Sequence, residues 1–520
     1  MIYSRPIRLP VRLTIITTLA LLISLPFTAC LPEPAALSSQ ESQTLTIEAA
    51  TQAPVVEGEL ISPASVSSRP QYNPGELVDY TVQSGDTIPA LAVHFNTTEK
   101  EIRAANPDLS RDSTTLEPGS HMQIPIYYQP LWGSAYQILP DSLFVNGPAQ
   151  VGFDCVSYVQ NSPGWFRNFR ATAGGEELRG GQVIEHIATN YSVSPRLLLA
   201  LLEYQTGAVN YITTPQEDDP YPLGFVDEMH QGLYNQLVLA ANLLNNAYYG
   251  WRSGSVTSIE YKDGRLEVLD PWQNAATVAL HVYFSKTLPV DQYDAAIGPD
   301  GLAAAYTRLF GDPWQNAGPQ IPGNLTQPDF YFPFQAGNTW AYTGGPHTGW
   351  GEGEPYAAID FAPPSVMGGC VPSNEWVTAV ADGAVVRSTY AEVVLDLDKD
   401  GNEQTGWVVY YLHLASNDKA VIGMQLKAGD PVGHPSCEGG TSTGTHVHIA
   451  RKYNGEWIPA GGVLAFNLEG WVAQSSGVAY QGTLVRFEKT VYASTSADGS
   501  SHVQSRGLGE VALPGVTPTP

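Results

Sequence analysis

Positive charge is scarce in this sequence. Its 520 residues include 25 Lys and Arg against 51 Asp and Glu, which gives a formal net charge of −26. Nucleic-acid binding needs clustered Lys and Arg to neutralise phosphates, so this deficit argues against that class of protein. The same deficit argues against a basic patch that would hold the protein on an anionic membrane surface.

Cysteine is scarce as well, with four residues in the chain. Four are too few for a disulfide scaffold. Cys370 and Cys437 fall in one predicted domain and could form a disulfide, which would leave Cys155 unpaired. The sequence alone does not decide this pairing.

Long apolar runs are lacking after residue 30, so no membrane-spanning helix is predicted there. Glycine and proline are abundant, with 50 and 40 residues, and 43% of the chain is hydrophobic. This composition indicates a loop-rich globular protein with packed cores. The length corresponds to about three domains.

The amino-terminal residues have the pattern of a secretory signal. Three arginines precede a short, interrupted apolar run that ends in Phe27-Thr28-Ala29-Cys30. Small residues before a cysteine resemble a bacterial lipobox, in which Cys30 would become the lipidated first residue of the mature protein. Ordinary cleavage after Ala29 is the alternative, although bulky Phe27 fits it poorly. Residues 1–30 therefore predict export, with attachment to the membrane by a lipid anchor only.

Residues 31–77 are rich in Pro, Ser, Ala and Glu without an apolar period, which predicts a flexible linker. Residues 78–128 then pass through a strand, two short helices and a second strand. This unit resembles a LysM module in three motifs, Tyr80-Thr81-Val82-Gln83-Ser84-Gly85-Asp86-Thr87, Ala105-Asn106-Pro107 and Leu116-Glu117-Pro118-Gly119. The resemblance implies a βααβ fold that binds N-acetylglucosamine-containing glycans such as peptidoglycan or chitin. A small structural α+β domain is the alternative.

The next part of the chain, residues 129–325, has apolar residues at helical spacing and predicts a mainly helical domain. Ser194 as N-cap and Pro195 at the first helical position predict the start of one helix. The stretch Tyr191-Ser192-Val193-Ser194-Pro195, followed by Leu199-Ala200-Leu201-Leu202, is similar to the helix that enters the active site of lysozyme-like transglycosylases. Those enzymes place a general-acid Glu before a Ser, but the equivalent pair here is Gln205-Thr206, and glutamine cannot supply the proton. Glu203 is turned roughly 200° around the helix. We therefore predict a packing or glycan-docking domain that is not catalytic.

The strongest chemical signal lies in residues 326–470, whose short, glycine-punctuated strands predict an antiparallel β domain. His446 and His448 are two residues apart on a predicted strand and face the same side, where two imidazoles can bind a metal or divide metal binding and proton transfer. Asp360 lies between Ile and Phe on a short apolar strand, where an unpaired charge is costly and a cation is a natural partner. Residues 471–520 add alternating strands and a tail without a functional signal.

Two more histidines complete the set. His347 follows a tight glycine loop, and His413 shares one predicted face of the strand 407–414 with Val409 and Tyr411. Each residue of the set has a structural alternative: an exposed strand histidine, a loop histidine, a carboxylate bonded to backbone or a core histidine. Their occurrence together in one domain favours a functional site.

This constellation resembles the lysostaphin-type, or β-lytic, zinc endopeptidases, whose pattern is His…Asp, a lone His on a central strand and a late H-x-H. By that resemblance His347, Asp360 and His448 would bind one zinc ion. His413 and His446 would flank the attacking water. The long separation of His347 from Asp360 is similar to the β-lytic branch. The resemblance implies hydrolysis of peptide cross-links in peptidoglycan.

A second metal site is suggested by Asp396, Asp398 and Asp400 before Gly401, because oxygen ligands at alternate positions before a glycine turn suit Ca²⁺. The twelfth position of this loop is Trp407 and not the Glu of an EF-hand. A calcium-stabilised hairpin and a plain acidic turn both remain open.

The sequence thus predicts a multidomain, exported zinc metalloendopeptidase of peptidoglycan that is targeted by a LysM module. One alternative is a non-catalytic cell-wall-binding or regulatory lipoprotein on a degenerate peptidase fold. The other is a glycan-cleaving enzyme based on the helical domain, against which Gln205 argues.

Overall fold

The computed structural model describes residues 69–127, 132–213, 219–315, 317–365 and 367–507. All of them belong to one compact unit that spans residues 65–520. The predicted signal segment with Cys30 and most of the predicted linker lie outside the described residues. Within the described part of the chain, no helix is both long and apolar enough to cross a membrane.

The predicted βααβ module is confirmed. Its elements are β1 (Glu76–Thr81), α1 (Ile88–His94), α2 (Glu99–Ala105) and β2 (His121–Ile126). The two strands pair antiparallel, with Tyr80 opposite Met122. The hydroxyl groups of Thr87 and Thr98 accept hydrogen bonds from the first turns of the two helices, which fixes where each helix begins. Apolar side chains of all four elements form one small core.

The structure differs from the sequence prediction at the end of the linker. Strand β1 begins at Glu76, inside the segment that was predicted to be flexible. Arg69 forms an ion pair with Asp270 at 2.7 Å, and its guanidinium lies over the ring of Trp272. Residues 69–77 are therefore attached to the folded body, because a paired and stacked arginine holds them there.

The described residues between 132 and 325 are mainly helical, as their apolar spacing predicts. Their helices are α3 (Cys155–Asn161), α4 (Gly180–Tyr191), α5 (Pro195–Thr206), α6 (Leu233–Ser253), α7 (Ala275–Thr287), α8 (Val290–Ile297) and α9 (Leu302–Phe310). Two hairpins accompany them, β3 (Arg170–Ala173) with β4 (Glu176–Arg179) and β5 (Ser258–Glu260) with β6 (Leu266–Val268). Helix α5 starts as expected, since the Ser194 hydroxyl accepts from Leu197 N and Pro195 takes the first position.

The β domain is built on a nine-stranded antiparallel sheet. Its strands are β7 (Thr339–His347), β8 (Ala358–Ala362), β10 (Gly383–Thr389), β11 (Glu392–Asp396), β12 (Trp407–Leu412), β13 (Gln425–Leu426), β15 (Val447–Tyr453), β16 (Glu456–Trp457) and β21 (His502–Gln504). The order is β13-β10-β11-β12-β15-β8-β7-β21, and β16 pairs with β15.

Smaller sheets flank the large one. They are β9 (Val377–Thr378) with β14 (Pro431–Gly433), and the four strands β17 (Asn467–Leu468), β18 (Trp471–Ser475), β19 (Gly482–Arg486) and β20 (Lys489–Tyr492). Because β21 pairs with β7, the described chain beyond residue 470 returns to the large sheet and adds a strand to it.

The helical domain packs on one face of the large sheet. Alternate residues of β12 point to opposite sides. Tyr410 and Leu412 join the core of the helical domain, whereas Val409 and Tyr411 join the core of the β domain. The two domains therefore share a continuous apolar interior.

The LysM module is also docked firmly. The Ser84 hydroxyl accepts hydrogen bonds from the backbone amides of Gln320 and Ile321, at 3.0 and 2.7 Å. The imidazole of His94 stacks on Trp251 of α6 with ring centroids 3.6 Å apart. Polar and aromatic contacts thus fix the module to the helical domain at two places.

Arg252, at the end of α6, connects all three parts of the molecule. Its guanidinium lies 3.1 Å from the carboxylates of Asp141, in the helical domain, and Glu456, in β16. It also donates a hydrogen bond to the carbonyl of Ser84 in the LysM module. Burial lowers the pKa of Arg252, but the surrounding carboxylates outweigh that effect and hold the pKa well above its usual value.

Substitution of Arg252 by methionine is expected to destabilise the protein by about 3–5 kcal/mol, because it leaves two buried carboxylates without their cation. Urea denaturation of the full-length chain measures this loss. Arg265→Met is the control, since that arginine pairs with Asp263 at the exposed surface and should change stability by about 0.5 kcal/mol or less. Equal losses of unfolding free energy in the two variants would show that Arg252 does not stabilise the contact between the LysM module, the helical domain and the β domain.

Candidate metal centre

Three neighbouring strands bring His347, Asp360 and His448 together. His347 ends β7, Asp360 lies at the middle of β8, and His448 lies near the start of β15. Asp360 is paired directly with His448 on one side and with Gly344 on the other. A Cβ atom at Gly344 would lie 2.2 Å from Asp360 Oδ2, so the glycine makes room for the carboxylate.

The three side chains converge on one point. His347 Nε2 lies 3.0 Å from His448 Nδ1 and 3.3 Å from Asp360 Oδ1, and His448 Nδ1 lies 3.4 Å from the same oxygen. Tetrahedral zinc with bonds of about 2.0–2.1 Å holds its ligand atoms about 3.3 Å apart. Asp360 Oδ1 is buried and receives no hydrogen bond of regular geometry. Spacing, donor type and the unsatisfied oxygen all fit a zinc ion.

Backbone carbonyls orient both histidines of the candidate site. His347 Nδ1 lies 2.8 Å from the carbonyl of Gly345, and His448 Nε2 lies 3.2 Å from the carbonyl of Gly349. Each of these nitrogens donates its hydrogen to the carbonyl, which leaves the other ring nitrogen with a lone pair aimed into the centre.

The charge balance of the metal-free centre favours a cation. Burial lowers the pKa of His347, but the Asp360 carboxylate raises it by more, so that the net shift is upward. Burial raises the pKa of Asp360, but His347 and His446 outweigh it and keep that pKa well below its usual range. Burial lowers the pKa of His448 and so favours the neutral form that binds metals.

His446 and His413 lie beside this centre. His446 Nε2 is 3.8 Å from Asp360 Oδ2, and its ring centroid is 4.4 Å from that of His413. Their Nδ1 atoms lie 2.7 and 2.8 Å from the carbonyls of Gly444 and Glu438. This leaves each Nε2 available to a substrate or a water. Burial, with the neighbouring imidazoles, lowers the pKa of His413 to about 3.

The predicted face of His413 is wrong. Strand β12 ends at Leu412, and His413 has a φ of 62°, in the left-handed region. The alternation that would group His413 with Val409 and Tyr411 therefore stops one residue earlier. The turned backbone carries the imidazole towards His446 and His448, away from the core that holds Val409 and Tyr411.

Tyr480 was not identified from the sequence. It lies in the loop between β18 and β19, and its ring stacks on His347 with centroids 4.2 Å apart and an interplanar angle of 21°. Its side chain is about half exposed, at 49%. The sequence around it has no motif or periodicity that could have located it beside the metal centre.

The cysteines of the β domain form a disulfide between Cys370 and Cys437. The bridge joins the segment before β9 to the segment that leads into the H-x-H strand. Thr445, directly before His446, donates its backbone N–H to the carbonyl of Gly369 and so reinforces this connection. Cys155 is buried and unpaired.

The acidic turn brings carboxylate oxygens of Asp396, Asp398 and Asp400 within 4.8 Å of one another. Asp396 already accepts hydrogen bonds from the backbone amides of residues 398, 399 and 401. Burial, together with Asp398, raises the pKa of Asp396 to about 6. The turn satisfies its buried carboxylate internally, and a calcium ion there stays a prediction.

The carboxylate of Glu203, in the helical domain, is fully engaged in hydrogen bonds. Glu203 is buried and accepts hydrogen bonds from the backbone amides of Val209 and Asn210 and from the Asn210 side chain. Gln205 accepts one from the Tyr283 hydroxyl. Both side chains are engaged in these hydrogen bonds, and the non-catalytic role of this domain stays a prediction.

Comparison with known proteins gives matches to the βααβ module, to the helical domain and to the β domain. Two family models match, "LysM domain" over residues 80–125 and "LasA, N-terminal domain" over residues 137–324. Protease LasA of Pseudomonas aeruginosa is 25% identical over 345 residues, which cover 62% of this chain and 74% of that protein.

Two further relatives match over a shorter stretch, about a third of the chain. Beta-lytic metalloendopeptidase of Lysobacter enzymogenes is 31% identical over 179 residues, which cover 32% of this chain and 90% of that protein. The protein of the same name from Achromobacter lyticus is 32% identical over 181 residues, which cover 32% of this chain and 43% of that protein.

Proposed function

Because this chain belongs to the β-lytic metalloendopeptidase family and carries a LysM domain, we propose that it is an exported zinc endopeptidase that hydrolyses peptide cross-links of bacterial peptidoglycan. The observation that carries the proposal is the convergence of one ligand atom each from His347, Asp360 and His448. The LysM module binds the glycan of the same polymer and so raises the local concentration of the cross-links. Lipidation at Cys30 would keep the enzyme at the outer side of a membrane.

In this mechanism His347, Asp360 and His448 hold the ion, and two neutral imidazoles with one carboxylate leave it a net positive charge. Zinc, when bound, supplies a Lewis acid that activates water and polarises a peptide carbonyl. The chain itself orients the ligands through the carbonyls of Gly345 and Gly349. It also excludes bulk water, because the three ligands are nearly fully buried.

His446 and His413 act on the attacking water. His446 is the more accessible of the two, with 15% of its side chain exposed, and its Nε2 is near Asp360. It is placed to accept the proton of the attacking water and to return it to the leaving amine. His413 stays neutral, since its pKa is lowered to about 3. Its hydrogen lies on Nδ1, which donates to the carbonyl of Glu438, so its Nε2 can accept a hydrogen bond from the attacking water and orient it.

Incubation of the purified full-length chain with peptidoglycan, with and without a chelator, tests the proposal. New amino termini that disappear with chelator and return with added zinc are the expected result. New reducing ends would instead assign the activity to glycan cleavage. Binding without any cleavage would favour a cell-wall-binding protein on a degenerate peptidase fold.

A further inference from the structure

The segment between the first two zinc ligands is held by the helical domain. We call residues 348–357, between His347 and Asp360, the ligand loop. Helix α6 presents Asn242 and Asn246, four residues apart and therefore on one helix face, to this loop. Asn242 Oδ1 accepts the backbone N–H of Glu352 at 2.8 Å, and Asn246 Oδ1 accepts that of Glu354 at 2.8 Å.

The contact is reciprocal and close. Asn246 Nδ2 donates to the carbonyl of Glu352 at 2.7 Å, so this amide uses both ends on the ligand loop. Gly351 and Gly353 have positive φ values of 80° and 84°. A Cβ at Gly351 would lie 2.6 Å from Asn242 Oδ1, and one at Gly353 would lie 2.0 Å from Asn246 Oδ1. The glycines let the loop backbone approach the two amides.

The same loop orients a zinc ligand. The carbonyl of Gly349 receives the Nε2 hydrogen of His448, so the position of Gly349 sets the direction of His448 Nδ1. Gly349 packs closely on Trp457, since a Cβ at Gly349 would lie 3.0 Å from the Trp457 ring. Trp457 Nε1 in turn donates a hydrogen bond to the carbonyl of Tyr191 in the helical domain. Both the tip and the base of the ligand loop are therefore fixed from the helical domain.

We propose that Asn242 and Asn246 are positioning residues of the zinc site, which act through the ligand loop on His448. This inference rests on the proposed function. It makes the helical domain a working part of the peptidase, because two of its side chains complete the support of a metal ligand that lies on another domain. Neither asparagine contacts substrate or metal.

Zinc affinity of the metal-free full-length chain tests this role. Competition with a chromophoric chelator gives the dissociation constant, and the visible absorption of the Co²⁺-loaded protein reports the geometry around the metal. The double variant Asn242→Ala/Asn246→Ala is expected to bind zinc about 10–100-fold more weakly and to give altered Co²⁺ bands. Asn242→Asp keeps the accepting oxygen and should bind zinc more tightly than Asn242→Ala.

Asn235→Ala is the matched control, because Asn235 lies on the same helix and its side chain donates to the carbonyl of Gln231, just before the helix, and not to the ligand loop. Unchanged affinity and unchanged Co²⁺ bands in the double variant, relative to this control, would overturn the inference. Higher activity at unchanged affinity would overturn it as well, since the contact would then restrain the enzyme. If the double variant does not fold, Asn242→Ala and Asn242→Asp carry the same comparison.

Asp360→Asn separates this inference from the proposed function. Loss of zinc binding in Asp360→Asn, with normal binding in the asparagine variants, would reject only the positioning role. Normal zinc binding in Asp360→Asn would reject the zinc site itself and, with it, the proposed function.

Discussion

Replacement of His448 by alanine is expected to remove zinc from the protein and to reduce release of new amino termini from peptidoglycan by at least about 10³-fold. The expected loss is large because enzymes owe rate accelerations of about 10⁶-fold or more to their catalytic groups, and the proposed mechanism depends on the bound ion. His448 provides one of three ligand atoms and is in contact with the other two ligands. Metal analysis and an amine-release assay give both quantities on one preparation.

His502→Ala is the control for this experiment. His502 is exposed in β21, on the same sheet but away from the metal centre. It should keep one zinc ion and normal activity. A His448→Ala protein that retained zinc and activity would show that the three converging side chains do not form the functional centre.

Replacement of His446 by alanine is expected to lower kcat by about 10²–10⁴-fold while one zinc ion stays bound. The reason is that His446 lies next to the centre without supplying one of its three ligand atoms, so its loss removes proton transfer and leaves the ligands in place. Parallel measurement of kcat, KM and zinc content makes the distinction from His448→Ala direct.

His413→Ala provides a second comparison with His446→Ala. The lowered pKa of His413, about 3, keeps its imidazole neutral at every working pH, so the pH profile of the remaining activity should keep its shape when His413 is removed. Loss of zinc from His446→Ala would contradict the division of roles, because it would make His446 a ligand.

Much of the metal centre could be predicted from the sequence because local context sets the direction of each side chain. Asp360, between two apolar residues of a short strand, needs a cationic partner, and the two-residue spacing of His446 and His448 puts both on one side. The His413 prediction failed since strand alternation ends where the backbone enters the left-handed region. A single residue at φ 62° is not visible in a periodic pattern.

Features that depend on packing between distant segments were out of reach. Tyr480 comes to His347 because the loop between β18 and β19 folds back over β7, and no local pattern encodes that approach. The placement of the helical domain on the sheet also depends on the match of two apolar surfaces, which composition does not specify. The same holds for β21, which completes the sheet from beyond the predicted domain end.

The rigid attachment of the LysM module fixes its distance from the candidate zinc site. Ser84 and His94 join the module to the rest of the chain by hydrogen bonds and ring stacking. Arg252 bonds both to Ser84 of the module and to Glu456 of the large sheet. A glycan bound by this module would lie at a fixed distance from the candidate zinc site, because the module cannot move relative to the β domain. The cross-links at that distance from the bound sugars would then be cleaved first.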